Sequence, residues 1–117
     1  MAIQLLKDLR PVARKQHMCA YCECAIEKGE KYVRQTLHSD EINGVYEWPM
    51  HEDCEKIVSV LDMSQLCADE EGVPRDSFQE IVNDAYEYLI ETKEPQPERT
   101  LHEKVKYILE HQDELKN

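Results

Sequence analysis

Cys19-Ala20-Tyr21-Cys22 and, beyond the 28 residues at positions 23–50, His51-Glu52-Asp53-Cys54 are the stretches that decide how this chain is read. Two donors separated by two residues reach one tetrahedral ion, because a tight turn or the first turn of a helix brings both side chains together. Four such donors fill the coordination sphere. A catalytic Zn2+ keeps one position open, so Cys19, Cys22, His51 and Cys54 point to a structural ion. In finger peptides such an ion contributes on the order of 10–16 kcal/mol. That is the scale of a whole small domain's stability, so the front half is expected to unfold when the metal is removed.

The segment between the two pairs supports this reading. Glu27-Lys28-Gly29-Glu30 is a turn signal. Residues 31–37 are rich in β-branched and aromatic types and read as a strand, with residues 45–50 as its partner. Asn43-Gly44 between them is a favoured hairpin signal. Pro49 cannot donate a ladder bond, so the second strand should end there or lie at an edge. Residues 52–62 read as a helix with Ile57, Val58 and Leu61 on one face. The order is therefore knuckle, hairpin, helix.

Other candidate ligands fit less well. Cys24 stands close enough to Cys22 to compete for the ion and is read as a packing residue, with Glu23 where knuckles often place a glycine. Cys67 has no metal-spaced neighbour and reads as a buried thiol; His17 and His38 are off the pattern, and His102 and His111 are expected to be exposed. Five cysteines, an odd number, argue against a disulfide framework and for a reduced, cytosolic setting. The N-terminal stretch has charges inside its apolar part, unlike a secretion signal, and no apolar run approaches a membrane span.

The span 19–54 resembles treble-clef zinc fingers. Its spacing is similar to that of the finger of poly(ADP-ribose) polymerases and DNA ligases. The text around it fits as well: Ile26-Glu27-Lys28-Gly29-Glu30, a strand, Asn43-Gly44, Trp48 and His51. It is similar too to one half of a LIM domain and to single-finger phage and bacterial proteins of unassigned role. The resemblance implies an α+β fold, a small treble clef at 1–62, and a DNA-break-recognising function. Arg14, Lys15, Lys28, Lys31 and Arg34 would then be the candidate phosphate contacts.

Charge qualifies that implication. The chain carries 25 acids against 14 bases, a net charge of −11. The basic excess is confined to residues 1–34, where Glu23, Glu27 and Glu30 are interspersed; residues 59–117 are strongly acidic. Only the N-terminal third could attract phosphate.

Residues 63–117 read as an acidic helical extension. Residues 3–9 ahead of the finger are expected to form a short helix ended by Pro11. A loop is expected through Glu70-Glu71-Gly72-Val73-Pro74. Ser77 and Glu80 form a capping-box pattern, with Asp76 as an alternative cap, opening a helix with the stripe Phe78, Ile81, Val82, Ala85, Tyr88 and Leu89. Residues 93–99 (Lys-Glu-Pro-Gln-Pro-Glu-Arg) break it as a semi-rigid linker. Thr100 and Glu103 form a second box, opening a final helix with Leu101, Val105, Ile108, Leu109 and Leu115 on one face. That face either packs on its own domain or reaches a partner.

The expectation for function is a non-enzymatic, zinc-stabilised interaction module, an accessory or regulatory factor presenting acidic helices to a protein partner with a basic surface. The alternative is nucleic-acid binding by the finger. A finger nuclease would need an Asp-His pair around His38 and a second downstream His or Asn. A deaminase would need His-x-Glu with Pro-Cys-x-x-Cys. The sequence has neither set, and no phosphate loop.

Overall fold

The hairpin expected from the sequence is the centre of the structure, a computed structural model describing residues 3–67 and 72–115. Strands β4 (Tyr32–Ser39) and β5 (Gly44–His51) pair antiparallel from Tyr32 opposite His51 to Ser39 opposite Gly44. Four residues, 40–43, close the hairpin. Asn43 is the last of them, in the left-handed region at φ 48°, and Gly44 already belongs to the strand. Pro49 lies within β5. Its missing N–H is tolerated because β5 is an edge strand.

The other edge corrects the sequence reading. Residues 3–9 form not a helix but β1 (Ile3–Leu9), which pairs antiparallel with β4 and gives the order β1-β4-β5. Seven residues are too few to hold a helix alone, whereas β4 offers an open ladder edge. The register shifts between Leu5 and Lys7, the mark of a bulge. Pro11 still ends the element. Its carbonyl accepts from Tyr32 N–H at 3.0 Å, and Val12 bridges Lys31.

The two-residue strands β2 (His17–Met18) and β3 (Ala25–Ile26) form a second, small antiparallel ladder. Gly29 follows at φ 90°, the third position of the 27–30 turn, where a side chain would be strained. Helix α1 (Glu52–Val60) starts directly after β5, and the four-residue α2 (Met63–Leu66) follows it. Residues 68–71 lie outside the described residues, and so does that part of the expected loop.

Helix α3 (Arg75–Ile90) begins ahead of the expected capping box. Pro74 is its N-cap, with no side-chain cap bond, so neither Ser77 nor Asp76 caps it. Its start is set by docking. Phe78 is fully buried, and Phe78 N–H donates to Pro74 O. The buried stripe is Phe78, Val82, Tyr86 and Leu89; Tyr88, expected inside, is 55% exposed. Tyr86 takes the inner position because Arg99 at the end of the proline segment donates to its hydroxyl at 2.6 Å and lies 4.7 Å over the Tyr107 ring. The segment 93–99 therefore folds back along α3.

Helix α4 (Leu101–Glu110) has the expected box. Glu103 N–H donates to Thr100 Oγ1, and Thr100 N–H to the Glu103 carboxylate. His111 breaks the expected single helix, leaving the short α5 (Gln112–Leu115). Helix α4 packs on both α1 and α3. Val105 and Ile108 are fully buried, in one hydrophobic cluster with Ile26, Val33, Ile57 and Phe78. Full burial of one such side chain stabilises by roughly 1.5–3 kcal/mol, so the apolar face of α4 is occupied by its own chain. Ile108→Ala is expected to lower unfolding free energy by about 2–5 kcal/mol, read by urea denaturation at fixed metal loading. A loss under about 0.5 kcal/mol, the range of ordinary surface changes, would show that α4 is not docked.

Candidate metal centre

Cys19 and Cys22 lie on the tight loop between β2 and β3. Cys19 N–H donates to Cys24 O at 3.0 Å and Glu23 N–H to Cys19 O at 3.0 Å, which folds the loop back on itself. Glu23 supplies the bend at φ 59° in the left-handed region, the role expected of a knuckle glycine. Ala20 N–H donates to Pro49 O at 2.7 Å, tying the loop to the end of β5. There His51 is both the last strand residue and the N-cap of α1, and Cys54 sits in the helix's first turn.

The four residues thus converge from two ladders and a helix start. One donor atom from each of Cys19, Cys22, His51 and Cys54 lies within 4.8 Å of all the others. All four residues are buried, none more than 4% exposed. His51 Nδ1 is 3.3 Å from Cys22 Sγ and 3.9 Å from Cys54 Sγ. These distances bracket the roughly 3.5–3.8 Å between donors on a tetrahedral ion with bonds of about 2.0–2.3 Å. The other ring nitrogen, Nε2, is 3.0 Å from Ala25 O and donates to it. That bond fixes the tautomer and leaves the Nδ1 lone pair facing the sulfurs, a common device at histidine metal ligands. The residues present fit a metal ion, and soft thiolates with one imidazole suit Zn2+.

The protonation pattern agrees. Hydrogen bonds from Cys22 and Cys54 hold Cys19 well below the usual thiol range, while Cys19 pushes Cys22 and Cys54 up. The cluster thus keeps one thiolate by retaining protons on its neighbours. Burial opposes charge on His51, but Cys19, the Ala25 carbonyl and Glu30 outweigh it and raise its pKa. Tyr21 is pushed up to about 12 by burial and then by the Cys19 thiolate.

Cys24 is outside the donor group. It is partly buried, its Sγ 3.5 Å from Cys22 O. Cys67 is buried; His17 stacks on Tyr32; His38 lies near Asp40 at the far end of the hairpin from His51. His102 and His111 overturn their expected exposure. His111 is half-buried, with Nδ1 2.7 Å from Tyr107 O. The His102 ring lies flat on His51, with centroids 3.6 Å apart and planes 13° apart. Its Nε2 is buried and makes no hydrogen bond, although Asp53 Oδ2 is 3.4 Å away at a poor angle. Burial lowers its pKa. The signal was present in the sequence: His102 is three residues before Val105 and seven before Leu109, the inward face of α4.

A second missed group grips the knuckle from α3. Arg75 Nε donates to Ala20 O, and Gln79 Nε2 donates to Tyr21 O and to Glu23 Oε1, both at 2.9 Å. Tyr21 stacks on Phe78 at 4.3 Å and meets Trp48 edge-on at 5.4 Å. Of the five candidate phosphate contacts, Arg14, Lys15 and Arg34 line one depression; Lys28 and Lys31 do not line it. Comparison with protein-family models, curated proteins and solved structures found no match.

Two predictions follow from this geometry. Metal binding must displace the protons held by Cys22 and Cys54, so Zn2+ affinity should fall on acidification, by roughly tenfold per pH unit for each proton displaced. Competition with a chromophoric chelator between pH 8 and pH 6 measures the slope, and a pH-independent affinity would contradict this protonation pattern. His102→Ala should speed Zn2+ loss to chelator at least about tenfold by uncovering His51, while His102→Phe, which keeps a ring on the stack, should stay near wild type. Equal rates for all three proteins would exclude a covering role for His102.

Proposed function

We propose that this chain is a non-enzymatic treble-clef module stabilised by one structural Zn2+ on Cys19, Cys22, His51 and Cys54, and that it binds a protein partner through the acidic face of α3. The observation that carries the zinc part is the closed, buried three-sulfur, one-imidazole donor group. With four protein donors no coordination position is left for substrate. The order of knuckle, hairpin and helix start around those donors supports the treble-clef reading.

The exposed carboxylates of α3 support the partner part. Asp76, Glu80, Asp84, Glu87 and Glu91 are all exposed and follow at intervals of four, four, three and four residues, one continuous helical stripe. Beyond Asp76, which suits the first turn, the stripe does not help the helix. Like charges four apart repel by a few tenths of a kcal/mol. Glu87 and Glu91 sit at the C-terminal end, where the helix dipole disfavours anions and no base stands in the last turn. A row that costs local stability suits a basic partner surface. Tyr88, exposed beside it, offers an aromatic anchor.

Native mass spectrometry of reduced protein should find one Zn2+ per chain, and Cys54→Ser should lose it together with the thermal transition. A metal-free wild-type protein that keeps its transition in strong chelator would end the zinc reading. The triple variant Glu80→Lys, Asp84→Lys, Glu87→Lys should retain Zn2+ and melting temperature while losing the partner recovered with wild-type protein, quantified by affinity capture and mass spectrometry. Equal recovery of that partner by the variant would remove the stripe from the mechanism.

A further inference from the structure

On a chain with a net charge of −11, a group of cations with no carboxylate among them stands out. Arg10 holds Asp8 and Glu55, and Lys93 holds Glu114. Among the described residues Lys28, Lys31, Lys56 and Lys106 have no ion-pair partner, and neither do Arg14, Lys15 and Arg34, but these last three stand together. Among the described residues, none of them forms an ion pair or a side-chain hydrogen bond. Together with Pro11, His17 and Tyr32 they line one depression of about 530 Å3, and no carboxylate lines it. That volume is in the range of small-molecule sites.

The depression is also rigidly backed. Tyr32 forms its floor, 2% exposed, and the His17 ring stacks on it with centroids 5.1 Å apart. The Arg14–Lys15 loop is pinned just upstream: Ala13 N–H donates to Glu30 O and Gly29 N–H to Ala13 O, at 2.9 and 2.8 Å. Arg34 stands on the central strand of the sheet. With the backbone fixed before a ligand arrives, only the side chains remain to be ordered on binding. Two planar guanidiniums can each offer paired N–H donors to an oxyanion, and Lys15 adds a point charge.

From this juxtaposition we propose that the depression is a binding site for a compact phosphoryl anion, a terminal phosphate dianion carried by a small molecule. The surrounding charge selects compactness. Glu27, held by the Gln16 amide, and Glu30, joined to Ala13 through the backbone, flank the loop that carries Arg14 and Lys15. The field of one carboxylate fades over about 8 Å at physiological salt. A single phosphate seated in the depression meets three cations and no carboxylate in its lining, whereas an extended polyanion must also run past Glu27 and Glu30. The site is separate from the acidic stripe of α3 and does not rest on that proposed role.

The test uses zinc-loaded full chain with amide resonances followed by NMR, with zinc content checked at each endpoint. Inorganic phosphate and adenosine 5′-monophosphate are titrated in separate arms, and a duplex and a single-stranded oligonucleotide in two others. Saturable shifts clustered at Arg14, Lys15, His17 and Arg34, with midpoints below about 1 mM, are expected in both small-molecule arms. Tighter binding in the nucleotide arm would identify a phosphomonoester as the source, and equal binding would identify the phosphate group alone. Arg14→Gln and, separately, Lys15→Gln should each weaken binding at least about tenfold; Lys106→Gln should leave it unchanged. Lack of saturation up to about 10 mM phosphate or nucleotide would overturn the proposal. Tighter binding of either oligonucleotide than of nucleotide, with a steep dependence on salt, would overturn it in favour of a nucleic-acid surface.

Discussion

Three thiols and an imidazole crowded within 4.8 Å and sealed from water are a costly arrangement for a protein of this size. Without a cation, the cluster holds one thiolate by keeping protons on its neighbours, and each buried sulfur or nitrogen competes for the same few donors. A divalent ion turns the same crowding into the strongest set of contacts in the chain. The rest of the architecture is arranged to deliver these donors. The β2–β3 loop presents two, the end of β5 aims the imidazole, and the first turn of α1 adds the last. Ile26, Met50 and Ile57 are buried in the same cluster as Cys19, Cys22 and Cys54.

The four-residue donor cluster was readable from spacing alone because it is built from two short-range pairs, each fixed by one turn of backbone. The β4–β5 hairpin and the Thr100–Glu103 cap were readable for the same reason. What the sequence hid depends on distant partners. Residues 3–9 have no strong intrinsic preference, and only the open edge of β4 makes them a strand. Ser77 and Glu80 have the letters of a capping box, but the start of α3 is fixed by Phe78 in the core and by Arg75 reaching the knuckle carbonyl of Ala20. His102 carries the inward period of α4, yet a polar ring at such a position is naturally read as exposed until the His51 ring is found against it. Tyr88 and Tyr86 differ by two positions in a tyrosine-rich stretch, and Arg99, beyond two prolines, decides which one is inside.

The C-terminal helices follow the metal half in sequence but are built into it. Arg75 and Gln79 satisfy the carbonyls of Ala20 and Tyr21. Tyr21 is held between Phe78 of α3 and Trp48 of β5. From the opposite side α4 lays His102 over His51 while burying Val105 and Ile108. A knuckle in a minimal finger leaves its outward carbonyls to water. Here those carbonyls accept from a helix more than 50 residues further along the chain. An ion on these donors would therefore order the docking surface for α3 and α4, while docking shields the donors. Metal loading and helix packing would then belong to one cooperative unit.

That cooperativity bears on the charge distribution. A freely tethered acidic tail could neutralise cations anywhere within reach, on a chain with 25 acids and 14 bases. Docking prevents this. With α4 fixed against α1 and α3, and the proline segment folded back through Arg99 onto Tyr86 and Tyr107, the acids of α3 are held in one stripe. Arg14, Lys15 and Arg34 line a depression with no carboxylate in its lining and, among the described residues, form no ion pair. Such segregation of opposite charges on one small body costs electrostatic energy, since intermixed charges attract. It persists because the core holds the helices where they are. The same rigid placement gives each charged region a defined shape to offer a ligand, which a mobile acidic tail would not have.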